Sequence, residues 1–177
     1  MESLNTRVTA ADRQIQMAEA RIKNFPTSPH GYNLLAGAYM QKARETGDFG
    51  FNARAEMILN RSLEIAPDDS SALILRANLL LNYHRFREAL EEAKRAQVPG
   101  RESPDLYGVM TDALVELGDY PAADEAAQKM MNLRPDSASY SRASYLRALH
   151  GDLEGAIEAM SVSVKAANPG NPENAGW

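Results

Sequence analysis

The chain has 177 residues, 44% of them apolar and 24% charged, and a formal net charge of −5. This composition is too apolar for a disordered chain, and no apolar run approaches the roughly 18 residues that a membrane span needs, so we expect a soluble folded protein. The acidic balance argues against a nucleic-acid partner. The absence of cysteine excludes disulfides and thiolate metal sites.

The first predicted element is a helix that ends at Pro26. One apolar stripe recurs along it at helical spacing and is formed by Ile15, Ala18, Ile22 and Phe25. Such a stripe must be buried against a neighbour. We therefore interpret residues 1–28 as a helix that covers the unit following it.

From residue 29 onward one helix–turn–helix pattern recurs. The second helix of each unit carries a small residue, at spacings of 34, 34 and 33: Ala55, Ala89, Ala123 and Ala156. Five residues before each of these lies a turn residue that we expect to end the first helix in the left-handed conformation: Gly50, His84, Gly118 and Gly151. The first helices carry small residues where the two helices should cross: Ala36, Ala77, Thr111 and Ser144.

A period of about 34 residues divided into two amphipathic helices resembles the tetratricopeptide repeat family over residues 29–168. The resemblance implies an all-α fold, a right-handed α-solenoid of stacked antiparallel helix pairs. The repeats are then 29–69, 70–103, 104–136 and 137–168. Residues 1–28 become a capping helix or partial repeat, and residues 169–177 a linker or the start of a further repeat opened by Trp177.

Local signals place the ends of several helices. Helix starts are predicted at Ser103–Pro104 and Asp136–Ser137, and helix stops at Pro67 and Pro135. The first repeat is longer than the third by seven residues, counted from its aromatic residue to its closing proline. We expect the extra residues around the segment ARETGDFGFNA.

No arrangement of residues in the sequence favours enzymatic chemistry. His30, His84 and His150 lie in different repeats at helix ends or turns, where we expect structural roles. The pair Asp68–Asp69 is interpreted as a helix N-cap rather than a metal site. No glycine-rich phosphate loop is present. We therefore predict no enzyme activity, no cofactor and no metal.

The resemblance implies a concave face lined by the first helix of each repeat. On it we place the candidate partner-binding residues Asn33, Met40, Gln41, Asn78, Asn82, Asp112, Glu116 and Tyr145. An amide both donates and accepts hydrogen bonds, so the asparagines are suited to holding an extended peptide backbone whatever its sequence. The alternative is that these positions are simply solvated polar side chains.

Charge on the same face suggests the kind of partner. Asp105, Asp112 and Glu116 make one section acidic, and no Lys or Arg occupies the predicted face. We therefore expect a partner segment with basic residues. A clamp for a free C-terminal carboxylate is not expected, because these acidic groups would repel it.

The predicted function is protein–protein interaction, with an extended peptide or protein segment bound in the concave groove. The alternative is an assembly or oligomerisation part that stacks through its C-terminal edge, or a fragment of a longer tetratricopeptide protein. Ile157, Met160 and Val164 form an apolar stripe on the last predicted helix. We expect this stripe to drive self-association through residues 153–177, or to be covered by Trp177.

Overall fold

The computed structural model describes residues 9–167, and over these residues the chain is all-α, as predicted. The nine helices of this part are α1 (Ala10–Asn24), α2 (Pro29–Thr46), α3 (Gly50–Ile65), α4 (Ser70–Asn82), α5 (Phe86–Arg95), α6 (Pro104–Glu116), α7 (Tyr120–Leu133), α8 (Ser137–Leu149) and α9 (Leu153–Ala166). The predicted linker 169–177, with Trp177, lies outside the described residues.

The chain divides between Leu79 and Leu80 into two compact units. In the first unit α1 packs on α2, and α2 packs on α3. In the second unit the closest pairs are α6 with α7 and α8 with α9, and α5 and α7 also contact the helices that follow them. Within each unit, the helices named here pack against their neighbours in sequence, which is the arrangement of stacked helix pairs.

The small residues predicted for the helix crossings are buried. All four in the second helices are buried: Ala55, Ala89, Ala123 and Ala156. Their counterparts in the first helices are buried as well: Ala36, Ala77, Thr111 and Ser144. Short side chains at these positions let the axes of two helices come together, because the distance between packed helices depends on the side chains at the contact.

The core of the third repeat lies between α6 and α7. Tyr107 and Leu114 of α6 pack with Ala123, Ala127 and Met130 of α7 in one buried cluster. The hydroxyl of Tyr107 donates a hydrogen bond to Glu102, and burial raises the pKa of Tyr107, with Glu102 adding to the shift. The apolar stripes of the two helices therefore face each other.

The helix starts and stops follow the local signals. Asp136 caps α8 and exchanges hydrogen bonds with Ser139 in a capping box. Ser103 precedes α6 in an extended conformation without a capping hydrogen bond from its side chain. The helices α3 and α7 end two residues before Pro67 and Pro135, as expected since a proline restricts the residue before it.

The turn residues agree with prediction except in the first repeat. His84, Gly118 and Gly151 have φ values of 56°, 77° and 83°, so each adopts the left-handed conformation. The prediction for Gly50 is wrong, because Gly50 is the first residue of α3. The left-handed residue is Gly47, with φ of 70°, which caps α2.

The extra residues of the first repeat are helical. α2 has 18 residues and α3 has 16, whereas α6 has 13 and α7 has 14. The turn between the two helices has the same length in both repeats. The extra residues thus lie in the predicted segment, but they lengthen the two helices rather than the turn between them. This is why Gly47, and not Gly50, ends α2.

The N-terminal helix α1 packs along α2. Ala18 is buried on its contact face, and Ile15 and Ile22 are half-buried. Phe25 differs from prediction, since it lies beyond the end of α1 and is 58% exposed. The side chain of Arg21 lies over the Phe25 ring, with 5.9 Å between the guanidinium carbon and the ring centroid.

Candidate partner-binding hollow

Two of the predicted partner-binding residues are buried in the first unit. Asn33 is 7% exposed and Met40 is 5% exposed. The Asn33 amide nitrogen donates to Asp69 at 2.7 Å, and its carbonyl oxygen accepts from the Ser62 hydroxyl at 2.6 Å. Asn33 and Met40 therefore belong to the interior of the fold rather than to an exposed face.

Asn33 is the fifth residue of α2, and the fifth residues of α4, α6 and α8 are also at least partly buried. Ile74 and Gly108 occupy this position in later repeats and are also buried, and Ser141 is half-buried. A helix packed against more than one neighbour buries a wide sector of its surface. The exposed side of each first helix is consequently narrower than the sequence pattern predicts.

Three amide residues of the predicted set retain exposure on α2 and α4. Gln41 is half-buried and donates to Glu45 at 2.9 Å. Asn78 is half-buried and donates to the backbone oxygen of Ile74, one turn earlier in α4, at 3.2 Å. Asn82, the last residue of α4, is exposed.

The remaining three predicted residues meet at one place in the second unit, which we call the α6–α8 hollow. It has a volume of about 130 Å³ and is lined by Thr111, Asp112, Val115 and Glu116 of α6 and by Arg142, Tyr145 and Leu146 of α8. A cavity of about this volume accommodates a benzene-sized group. The hollow is therefore suited to one side chain of a partner.

One wall of the hollow is an ion pair between its two helices. The Arg142 guanidinium binds Asp112 through two hydrogen bonds, 2.8 Å from Nε to Oδ1 and 2.6 Å from Nη2 to Oδ2. The third nitrogen, Nη1, donates to the backbone oxygen of Ala138 at 3.1 Å. A Cβ atom on Gly108 would lie 3.4 Å from the guanidinium carbon, so the glycine leaves room for it. This two-point geometry fixes Arg142 against α6.

Sequence reasoning missed Arg142. An available signal was the opposite charge of Asp112 and Arg142, which lie 30 residues apart, close to one repeat period, on successive first helices. The pairing neutralises Asp112, and Asp105 is likewise bound by Arg134. Partial burial by itself would lower the pKa of the Arg134 guanidinium, but the hydrogen bonds and charges of Asp105 and Asp136 together outweigh this effect and raise it.

The rim of the hollow keeps one acidic and one aromatic side chain in solvent. Glu116 is exposed and has no cationic partner within residues 9–167. Tyr145 is 54% exposed. Beneath them, Thr111 and Leu146 are buried and form the floor. The acidic character expected of this section is therefore concentrated in Glu116.

Two further observations concern the described part of the chain. No group of three or more His, Asp or Glu side chains is placed to hold a metal ion between residues 9 and 167. None of the helices in that range is both long enough and apolar enough to cross a membrane.

Neither a protein-family model nor a curated protein sequence matches the chain. Solved structures do match. TTC0263, a thermophilic TPR protein of Thermus thermophilus, superposes with a TM-score of 0.75 over 93% of this chain and 86% of that chain, at 15% identity. YrrB, described as a TPR protein with an unusual peptide-binding site, gives 0.62 over 92% and 81%, at 20% identity.

A third similar structure is MamA from Desulfovibrio magneticus RS-1, with a TM-score of 0.64 over 90% of this chain and 87% of that chain, at 15% identity. Together these matches span nearly the whole chain. The fold is therefore that of the tetratricopeptide repeat proteins, an all-α solenoid of stacked helix pairs.

Proposed function

We propose that the chain is a protein-interaction module that binds an extended protein or peptide segment, one side chain of which enters the α6–α8 hollow. The observation that carries the proposal is the hollow itself: two successive repeats form a volume suited to one side chain, with an exposed tyrosine and an exposed acid at its rim. The description of YrrB as having a peptide-binding site supports the same class of ligand.

The chemistry of the hollow favours a basic side chain. Val115 and the ring of Tyr145 offer apolar contact to the methylene stem of a lysine or arginine. Glu116 offers a charge to the head group, and the Tyr145 ring face attracts a cation. The Asp112–Arg142 pair is internally neutral and contributes little net charge. We therefore expect recognition of Lys or Arg.

The amides that keep some exposure on α2 and α4 are proposed, independently of the hollow, as partner contacts. Gln41, Asn78 and Asn82 are suited to bonding the backbone of an extended segment independently of its sequence. Asn33 and Met40 are left out of the proposed contacts because both are buried.

The test is a synthetic peptide library in which the central position is Lys, Arg, norleucine or Glu and the flanking positions are randomised. Lys and Arg peptides should be enriched on the immobilised protein, and their binding should weaken as salt is raised. Glu116→Gln and Tyr145→Ala should each lower affinity roughly tenfold, as expected for the loss of a charged or aromatic contact of about 1.4 kcal/mol.

Tyr120→Ala is the matched control, because Tyr120 is another partly exposed tyrosine, 40% exposed at the start of α7 and outside the hollow. Its affinity for the selected peptides should equal that of the wild type. Enrichment of Glu peptides, or unchanged binding by both hollow variants, would remove the hollow from the proposed function.

A further inference from the structure

The large apolar side chains of α9 lie on the side of the helix that does not face its own repeat. Leu153, Ile157 and Val164 are 66%, 69% and 58% exposed. The buried residues of α9 are small: Gly155, Ala156 and Ser163. The hydrophobic face of this helix is thus directed outward.

Polar and small residues hold α9 against α8. The Ser163 hydroxyl lies 3.0 Å from the hydroxyl of Ser137 and 2.8 Å from that of Ser141. The Ser144 hydroxyl donates to the backbone oxygen of Ala156 at 2.7 Å. The contact between the two helices therefore leaves the larger apolar side chains of α9 unused.

The outward side chains form a regular seam. Leu153, Ile157, Met160 and Val164 follow at spacings of four, three and four residues, which is the spacing of helices that pair side by side. The seam is roughly 16 Å long at the helical rise per residue. A shallow recess of about 420 Å³ runs along it, lined by Ile157, Met160, Ser161, Val164 and Lys165.

This spacing is symmetric about the midpoint between Glu158 and Ala159. A second copy of α9 laid antiparallel on the first would place Leu153 opposite Val164 and Ile157 opposite Met160. Every apolar residue of the seam then meets an apolar residue. A surface that matches itself about a two-fold axis is what a symmetric dimer requires.

The charges beside the seam favour the same orientation. Glu154 and Lys165 are exposed at opposite ends of α9, and neither forms an ion pair with another described residue. In an antiparallel pair, Glu154 of each copy comes near Lys165 of the other, whereas in a parallel pair each lies level with its own copy across the seam and gains no opposite charge. Charge and apolar pattern thus agree.

We infer that α9 is a self-association surface and that two copies of this chain pair through it, antiparallel, along Leu153, Ile157, Met160 and Val164. This surface is separate from the α6–α8 hollow, so dimerisation does not depend on the proposed peptide binding. The pairing buries the exposed apolar face of the last repeat.

Sedimentation equilibrium of the full chain over a wide concentration range tests the inference. The wild type should show a monomer–dimer equilibrium, and Ile157→Glu should raise the dimer dissociation constant at least tenfold, because it buries a charge in the seam. Met57→Glu is the matched control: Met57 is 65% exposed on α3, and the wild-type constant should be kept. Circular dichroism should show equal helicity in all variants.

A charge-exchange series tests the orientation. Glu154→Lys and Lys165→Glu should each weaken the dimer, by about threefold or more for two reciprocal surface pairs. The double variant, which restores both pairs with reversed sign, should recover wild-type affinity. Failure of the double variant to recover would overturn the antiparallel arrangement.

Two results would overturn the inference as a whole. One is a wild type that stays monomeric at every concentration. If, in addition, Ile157→Glu alters the fluorescence of Trp177, the apolar face of α9 is covered by the chain's own C-terminal residues instead of by a second copy. The other is a dimer whose dissociation constant is the same in wild type and Ile157→Glu.

Discussion

At Gly31, the absence of a side chain allows α2 to lie close to α1. A Cβ atom on Gly31 would lie 2.9 Å from Cγ1 of Ile22 and 3.3 Å from its backbone nitrogen. Because one of these contacts is with the backbone, a rotamer change of Ile22 cannot relieve both. The approach of α1 to α2 therefore depends on glycine at this position.

Gly31→Ala is expected to lower the free energy of unfolding by about 1–3 kcal/mol, because overpacking a close helix contact costs more than the gain in helix propensity. Gly37→Ala in the same helix is the control, since its Cβ would come no nearer than 3.9 Å to Leu75. It should stabilise by roughly 0.5–1 kcal/mol. Urea unfolding of both variants measures this; equal effects of the two would contradict the role of the close approach.

At the scale of the element, α1 is held at its N-terminus by a small polar network. The carboxylate of Asp12 accepts from the Thr9 backbone nitrogen at 2.9 Å and forms an ion pair with Lys42 of α2, also at 2.9 Å. The backbone hydrogen bond from Thr9, followed by the hydrogen bond from Lys42, holds the pKa of Asp12 below its ordinary value. The network both caps α1 and ties it to α2.

A lowered pKa means that the ionised carboxylate favours the folded state. The stabilisation is complete above the unfolded pKa of about 4 and is lost as pH falls through the lower folded value. Asp12→Asn should therefore lower the Tm at pH 7, and the difference from wild type should shrink progressively below about pH 4. Thermal unfolding from about pH 7 down to about pH 2.5 measures the difference.

Glu19→Gln is the control for Asp12→Asn, because Glu19 is exposed on the same helix and makes no hydrogen bond or ion pair with another described residue. Its Tm should follow that of the wild type at every pH. A constant Asp12→Asn effect across the whole range would show that lost capping geometry, and not charge, is responsible.

At the scale of the whole molecule, the repeat organisation limits how far a local change spreads. Repeats contact mainly their neighbours, so a destabilised helix pair opens without requiring distant pairs to open. Gly31→Ala should accelerate amide hydrogen exchange in α1 and α2 by roughly tenfold and leave α8 and α9 within about twofold of wild type. Mass spectrometry of exchanged peptides resolves the two regions. Equal acceleration in both would indicate a single cooperative unit.

Most of the architecture could be predicted from the sequence because it is encoded within each repeat. The burial of Ala55, Ala89 and Ala123 follows from a period that the chain repeats, and the left-handed conformations of Gly118 and Gly151 follow from residue type. These signals act between residues close in sequence. The insertion in the first repeat was visible in the sequence as a length difference. The length difference alone did not show that α2 continues to Thr46 and is capped by Gly47.

The candidate surface was predictable only in part, because helical periodicity shows which residues share a side and not how much of that side its neighbours cover. Asp112, Glu116 and Tyr145 do meet at one hollow. Asn33 is instead buried, and Asp69 and Ser62 bind the two ends of its amide.

The sequence by itself determined the repeat period, the helix pairs and the small residues at their crossings, since each depends on spacing along one chain segment. Only the tertiary structure decided that Arg142 neutralises Asp112 and that the apolar side chains of α9 point outward. The physical reason is that an ion pair or an exposed face depends on the distance between side chains of different helices. That distance is set by packing, and no local pattern of residues reports it.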